Sequence, residues 1–87
     1  MAEEKEGKLI GRITHYFDHI GVAVIALTDK LKTGDKIRII GGEDTDFEQE
    51  VESMEVEHQK IKEAKKGDEV GLKVKAKVRE GYKVYKV

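Results

Sequence analysis

Four basic side chains, spaced two residues apart, are the strongest candidates for binding chemistry. They are Lys73, Lys75, Lys77 and Arg79. Alternate residues of a strand share one face and recur about every 6.6 Å, close to the phosphate repeat of a single nucleic-acid strand. The alternation predicts a strand whose inward side chains are Val70, Leu72, Val74, Ala76 and Val78. The outward row either contacts RNA or an acidic partner, or is a solvated strand face that guards a sheet edge.

Aromatic rings are the second candidate group, because exposed rings can stack on bases. Phe17 and Phe47 are predicted to lie in the core. Tyr16, Tyr82 and Tyr85 are predicted to be partly exposed. Tyr16 is therefore included among the candidate RNA- or partner-binding residues.

The histidines do not form a recognisable metal motif. His15 and His19 are four residues apart, which suits a helix face, but this stretch reads as a strand that enters a turn. The chain has no cysteine and no H-E-x-x-H pattern. Neither a metal nor another cofactor is predicted, and His58 is retained only as a candidate RNA- or partner-binding residue.

Catalysis is not expected either. Ser53 is the only serine, and no G-x-S-x-G pattern surrounds it. The many carboxylates belong to a highly charged surface, where a raised pKa is not expected. The chain is therefore predicted not to be an enzyme.

Composition favours a single soluble domain. The chain has 87 residues, of which 40% are charged, and a net charge of −1. No apolar run is long enough for a membrane helix, and the acidic start lacks a signal-peptide core. We expect a cytoplasmic protein with no membrane partner, a flexible N-terminus at residues 1–7, and one domain at residues 8–87.

Charge is distributed unevenly along the chain. Residues 43–57 contain eight acids and no base, whereas residues 60–87 contain ten bases and four acids. This asymmetry creates a one-signed face, or it places opposite charges on neighbouring strands that pair across a sheet.

Period-two alternation predicts β-strands almost throughout. In the first strand, one face is predicted to carry Leu9, Gly11, Ile13, His15 and Phe17. Residues 18–21 are a turn candidate, and residues 36–40 form a short strand. The segment 22–27 (VAVIAL) is apolar on both faces, which predicts cover on both sides by the fold, a loop or a partner.

In the second half of the chain, the period-two alternation of apolar residues changes from odd to even positions. Phe47 and Val51 are odd-numbered whereas Met54 and Val56 are even-numbered, so a β-bulge near Ser53 is predicted. Residues 59–66 are predicted to be a long loop that packs Ile61 inward. With turns at residues 67–68 and 80–81, the pattern favours an all-β fold, a small closed antiparallel barrel of six to seven strands.

Three segments carry a family resemblance, in the same order and at the same spacing. They are LKTGDKI (31–37), VESME (51–55) and EA…GDEVG (63–71). Together they resemble domain II of elongation factor Tu and elongation factor one-alpha, in the form of short translation elongation factor-like proteins. The C-terminal barrel of family U-32 peptidases is similar. The resemblance implies a translation-factor barrel from Lys8 onward.

The resemblance also implies specific residue roles. Glu55 matches a glutamate that contacts the terminal adenosine of tRNA in elongation factor Tu. Glu69 stands where the family has an asparagine beside the amino acid, and a carboxylate cannot donate as an amide does. Recognition of an aminoacyl group is therefore not implied. The GTP-binding loop is missing, so GTP is not an expected ligand.

Two functional interpretations follow from the resemblance. The first is a non-catalytic binding module of translation, whose partner is tRNA, ribosomal RNA, the ribosome or a translation protein. The alternative is a protein-interaction accessory that docks on a separately encoded enzyme, such as a U-32-type peptidase.

Overall fold

The computed structural model describes residues 7–42, 45–57 and 59–87, and these residues form strands and turns. The predictions made for the first six residues and for His58 lie outside this described part. The strands are β1 (Lys8–Phe17), β2 (Val22–Leu27), β3 (Leu31–Lys32), β4 (Lys36–Gly41), β5 (Thr45–Glu50), β6 (Met54–Val56), β7 (Gln59–Ile61), β8 (Glu63–Ala64), β9 (Glu69–Lys73) and β10 (Lys83–Lys86).

Antiparallel pairing joins all these strands. Eight form one sheet in the order β5-β4-β10-β1-β2-β9-β6-β7, and β3 pairs with β8. The first and last strands run side by side, from the pair Lys8–Lys86 to the pair Arg12–Lys83. The all-β antiparallel prediction is confirmed. The predicted count of six to seven strands is wrong, and the described backbone ladder does not close into a barrel.

The first strand contains two bulges that the alternation does not reveal. Its register shifts against β10 just after Leu9 and against β2 just before His15. Each extra residue reverses which side chains face inward. The core therefore receives Ile10 together with the predicted Ile13. Leu9, His15 and Phe17, predicted to share a face with Gly11 and Ile13, are instead exposed, and the predicted core position of Phe17 is wrong.

The change from odd to even positions after Phe47 has a different cause from the predicted bulge. Strand β5 ends at Glu50, and residues 51–53 lie outside any strand. The chain then enters β6, which lies near the other end of the sheet order. Val51 and Met54 are both buried because the chain changes direction between them. Ser53 thus lies in a crossing segment between two strands.

The strand predicted from Val70 to Arg79 is shorter than the alternation indicates. Strand β9 ends at Lys73, and the backbone bends at residues 75–76. Val74 and Val78 are buried as predicted, but Ala76 is exposed.

The core is aliphatic and contains no buried polar or charged residue in the described part of the chain. Phe47 is half-buried and packs against it, as does Ile61, whose inward position is confirmed. The long loop predicted at residues 59–66 is wrong, because this segment contains the strands β7 and β8. The buried side chains are Ile10, Ile13, Ala23, Ile25, Leu27, Leu31, Ile37, Ile39, Val51, Met54, Ala64, Val70, Leu72, Val74, Val78 and Val84.

Two Gly-Asp turns have the same construction. In the first, Gly34 adopts φ +93°, and Asp35 Oδ2 accepts a hydrogen bond from the Lys32 N–H at 3.0 Å. In the second, Gly67 adopts φ +95°, and the Lys65 N–H donates to Oδ2 of the aspartate at 3.0 Å. An L-residue with a side chain rarely adopts such a φ, so glycine is required at both turns.

Each of these turns also holds a distant strand end through two backbone hydrogen bonds. In the first turn, Gly34 N–H donates to Val51 O and Val51 N–H donates to Asp35 O, both at 2.8 Å. In the second turn, Gly67 N–H donates to Leu27 O at 3.0 Å, and Leu27 N–H donates to the aspartate carbonyl at 2.9 Å. The two turns are therefore related by local pseudosymmetry.

The side chain of Gln49 bridges the gap that the backbone ladder leaves open. Its Nε2 donates to Lys73 O at 2.7 Å, and its Oε1 accepts from the Lys75 N–H at 2.9 Å. The side-chain amide of Gln49 thus donates one hydrogen bond and accepts one, as the backbone of a paired strand residue would. It ties the edge strand β5 to the segment that follows β9.

Replacing this bridge should measurably destabilise the fold. We expect Gln49→Ala to lower the free energy of unfolding by about 1 kcal/mol, because two hydrogen bonds are lost at a site where water can reach the freed backbone groups. The check is urea denaturation followed by circular dichroism. Gln59→Ala, at an exposed glutamine of β7, is the matched control and should change stability by less than about 0.5 kcal/mol. Equal effects of the two substitutions would contradict the role given to Gln49.

Candidate functional site

An apolar tip projects where β1 turns into β2. This hairpin tip comprises residues 17–21, and it is closed by hydrogen bonds from the N–H groups of Ile20 and Gly21 to Phe17 O. The Phe17 side chain is 45% exposed and that of Ile20 is 60% exposed. Turns usually carry small or polar residues, so two large apolar side chains here need a reason.

The outer face of β2 continues this apolar surface. Ala23, Ile25 and Leu27 point into the core, so the alternate residues Val22 and Val24 lie on the outer face and are half-buried. The described chain therefore covers the outer side of the strand only in part. The predicted cover on both sides is complete on the inner face alone.

Register places these outer residues in two rows. One row runs Phe17–Val22–Lys73 across three strands. The other row runs His15–Val24–Gly71–Glu55 across four strands. The rings of His15 and Phe17 are in contact, with centroids 4.4 Å apart.

The four predicted basic residues follow directly on this surface. We call residues 73–79 the basic segment. Its four basic side chains are exposed, and none forms an ion pair with another residue in the described part of the chain. The Val74 N–H donates to Gly21 O at 2.9 Å, so the basic segment lies against the hairpin tip.

The bend at residues 75–76 divides these bases into two pairs. Lys73 and Lys75 border one groove of about 420 Å³, opposite Glu50 and Glu52. The other pair borders a second groove. The straight row of four bases at regular strand spacing, predicted from the sequence, is therefore not formed.

The second groove brings together three of the predicted site residues. It has a volume of about 730 Å³, and Tyr16, Lys77 and Arg79 line it together with Tyr82. Two acids also line it, but both lie near histidines. Glu80 Oε2 is 3.6 Å from His15 Nδ1, and the other acid, Asp18, has its Oδ1 3.0 Å from His19 Nδ1.

The remaining predicted site residues are elsewhere or undescribed. Glu55 is exposed on β6, on the outer face beside Gly71, and away from the tyrosine-lined groove. His58 lies outside the described residues. Across residues 7–42, 45–57 and 59–87, no three His, Asp or Glu side chains gather as a metal site. The same residues include no helix long and apolar enough to cross a membrane.

Sequence reasoning predicted the turn at residues 18–21 but missed the exposed apolar surface of the hairpin tip. The period-two pattern placed Phe17 in the core, because nothing in the residue types marks the bulge just before His15. A usable signal was present at Ile20, since a large aliphatic residue inside a four-residue turn has no core to enter. Glycine at position 21 and aspartate at position 18 already indicated that turn.

Several acids of the described chain are paired with bases. Arg38 Nε and Nη2 each donate to a carboxylate oxygen of Asp46 at 2.7 Å, and Lys36 Nζ lies 3.3 Å from Glu48 Oε1. These contacts join β4 to β5. They support the interpretation of opposite charges on neighbouring strands for β5, and they leave the basic segment outside that pattern.

The fold and this surface define a small antiparallel β domain of the translation-factor type. A family model described as elongation factor Tu domain 2 matches residues 30–84. The chain belongs to this family, and the predicted resemblance is confirmed.

The most informative curated relatives are proteases. The chain is 43% identical over 76 residues to an uncharacterised protease of Methanocaldococcus jannaschii, covering 87% of this chain and 19% of that protein. It is 35% identical over 78 residues to a collagenase of Porphyromonas gingivalis, covering 88% of this chain and 22% of that protein. The chain therefore spans about a fifth of the length of these relatives.

Solved structures show the same fold. The C-terminal domain of a U32 peptidase from Geobacillus thermoleovorans superposes with a TM-score of 0.86 at 22% sequence identity. The match covers 92% of this chain and 92% of that domain. A selenomethionine variant of the same domain gives a TM-score of 0.85. The structural match extends over almost the whole chain.

The pair Arg38–Asp46 gives a pH prediction. Its hydrogen bonds lower the pKa of Asp46. A lowered pKa stabilises the fold above the pKa of the unfolded chain, and this stabilisation is lost as the pH falls through the folded pKa. We expect Arg38→Gln to raise the pKa of Asp46, measured by NMR titration. Asp29, whose pKa is lowered by its hydrogen bond with Lys8, is the internal control and should titrate as before. An unchanged Asp46 titration would contradict this assignment.

Proposed function

We propose that this chain is a non-catalytic protein-interaction domain that docks on a separately encoded peptidase of the U32 type. The observation that carries the proposal is the exposed apolar surface formed by the hairpin tip and the outer face of β2. Contiguous apolar residues on the surface of a small domain mark a site where another protein binds.

The comparisons support the choice of partner. Proteins named as proteases or collagenase contain a segment similar to this chain, and at least 78% of their length lies outside that segment. A domain of this fold, at 92% mutual coverage, belongs to a U32 peptidase. A β domain that accompanies a peptidase in those proteins is a reasonable partner of a peptidase here.

Docking can be tested by isothermal titration calorimetry. The partners are this chain and the Methanocaldococcus protease, in its full-length form and with the matched 76 residues deleted. We expect one-to-one binding to the deleted form with a dissociation constant of about 1 μM or below, which corresponds to about −8 kcal/mol. The full-length form should bind more weakly, because its own domain occupies the site.

Circular dichroism of the deleted protease is the control that it is folded. A folded protease that shows no heat of binding at about 100 μM of this chain would contradict the proposed function. Collagenase from Porphyromonas gingivalis, treated in the same way, tests whether docking extends to the less similar relative.

RNA binding is the second candidate function, and the unpaired basic segment favours it. Lys77, Arg79 and Tyr16 share one groove, where bases could meet phosphates and a ring could stack on a nucleobase. Glu55 lies on another face, so the tRNA contact implied by the family resemblance would use a different part of the surface. tRNA and ribosomal RNA are the candidate ligands.

This second function predicts a characteristic salt dependence. If about four phosphates are neutralised, a plot of log affinity for tRNA against log salt concentration should have a slope near −3 to −4. The double variant Lys75→Glu/Lys77→Glu should weaken binding and reduce the slope. Lys66→Glu is the matched control, because Lys66 is exposed in the turn at the opposite end of β9. Absence of tRNA binding in low salt, measured by filter binding, would contradict the RNA function.

A further inference from the structure

We propose that docking uses one composite surface, in which the hairpin tip enters an apolar recess of the peptidase and the basic segment meets carboxylates around that recess. This inference rests on the proposed function, and it adds which face binds and what chemistry the partner must offer. The partner surface is an aliphatic or aromatic hollow with an acidic rim.

The hairpin tip has the properties of an inserted anchor. Ile20 is 60% exposed in a tight turn, and Phe17 flanks it on the outer face of β1. Two backbone hydrogen bonds to Phe17 O hold the turn, so inserting it costs little conformational freedom. Apolar anchors that enter a pocket usually supply most of the affinity of an interface.

The surface beside the tip is suited to close approach. Val22 and Val24 present half-buried aliphatic side chains, and the next strand offers Gly71, which has no side chain to stand above them. A Cβ at Gly71 would lie 3.4 Å from Val22 Cγ1, so any side chain there would lie against this aliphatic surface. The absence of a side chain at Gly71 therefore leaves Val22 Cγ1 uncovered from that position.

The charges of the basic segment indicate which residues should surround the apolar recess of the partner. Asp46 and Glu48 already contact bases of β4, whereas the four bases of the basic segment have no ion pair among the described residues. The hydrogen bond from Val74 N–H to Gly21 O keeps these bases next to the tip. Unpaired bases beside an apolar anchor fit a partner whose carboxylates surround a hollow, and they also steer its approach.

The same geometry favours a protein over RNA as the occupant. A nucleic acid would pair with the bases and can stack a nucleobase on the Phe17 ring, but its flat bases and charged phosphates form no pocket for the branched side chain of Ile20. A protein with an acidic rim satisfies both parts of the surface. Competition by tRNA is therefore an outcome to be tested, and it is not expected at moderate salt.

Single substitutions in the hairpin tip test whether this surface, and no other part of the domain, binds the peptidase. We expect Ile20→Ser to weaken binding to the deleted Methanocaldococcus protease about tenfold and Phe17→Ser by a similar factor, because each removes one anchor. The matched control is Leu9→Ser. Leu9 is 47% exposed on the same strand but lies at its other end, and this change should alter the dissociation constant less than twofold.

Charge reversal tests the rim. Lys75→Glu/Lys77→Glu should weaken binding about tenfold at low salt, mainly through a slower association rate, and the loss should shrink as salt is added. Lys66→Glu carries the same type of change away from the surface and should have no effect beyond twofold. Thermal denaturation of every variant checks that the fold is kept, and Ile20→Ser, in a turn outside the core, is the variant least able to disturb it.

The outcomes distinguish the two levels of the proposal. Weaker binding by the tip and charge variants, with both controls unchanged, supports the composite surface. Tight binding that no tip variant weakens overturns this surface and leaves the docking function standing. Loss on charge reversal alone, with tRNA competing for the site, also overturns it. Absence of any binding to the folded protease overturns the surface and the docking function together.

Discussion

The fold depends on the two Gly-Asp turns more than on any other local feature. Positive φ at Gly34 and Gly67 allows each following aspartate to accept a hydrogen bond from its own turn. Backbone groups of the first turn then form hydrogen bonds with Val51, which directly follows β5, and those of the second turn with Leu27, the last residue of β2. Short strands form few hydrogen bonds with each neighbour. The hydrogen bonds that fix the strand ends at these turns therefore contribute much to the relative positions of the strands. The buried aliphatic core fills the space that these ends define.

Much of this arrangement can be read from the sequence, but with one systematic error. Residue types identify the Gly-Asp turns and the apolar strand Val22–Leu27, and the burial of Val74 and Val78 follows from alternation. The alternation of apolar and polar residues does not reveal where a β-bulge adds a residue or where the chain stops pairing with a neighbouring strand. The bulge before His15, the crossing at residues 51–53 and the bend at residues 75–76 are therefore invisible, since contacts between distant strands determine them. The exposure of the basic side chains was predictable, whereas their separation into two grooves and the exposure of Phe17 were not.

Charge is used in two ways on this small surface. On β4 and β5, acids and bases pair across the strands and stabilise a hairpin at the edge of the sheet. On the basic segment, none of the four bases forms an ion pair within the described chain. Acids nevertheless lie near them, because Glu50 and Glu52 line the groove of Lys73 and Lys75, and Asp18 and Glu80 line that of Lys77 and Arg79. The charges of β4 and β5 therefore contribute to the pairing of these two strands, whereas those of the basic segment lie beside the exposed apolar hairpin tip.

The pairing of Lys8 with Lys86 has a practical consequence for any larger assembly. This pair lies at one end of β1, and the hairpin tip lies at the other end, up to about 30 Å away along a ten-residue strand. A tag, linker or second polypeptide could be fused after residue 87. It would then extend from the end of the domain that lies opposite the hairpin tip. The domain can therefore be immobilised, labelled or grafted at this end while the opposite end stays open to an incoming macromolecule.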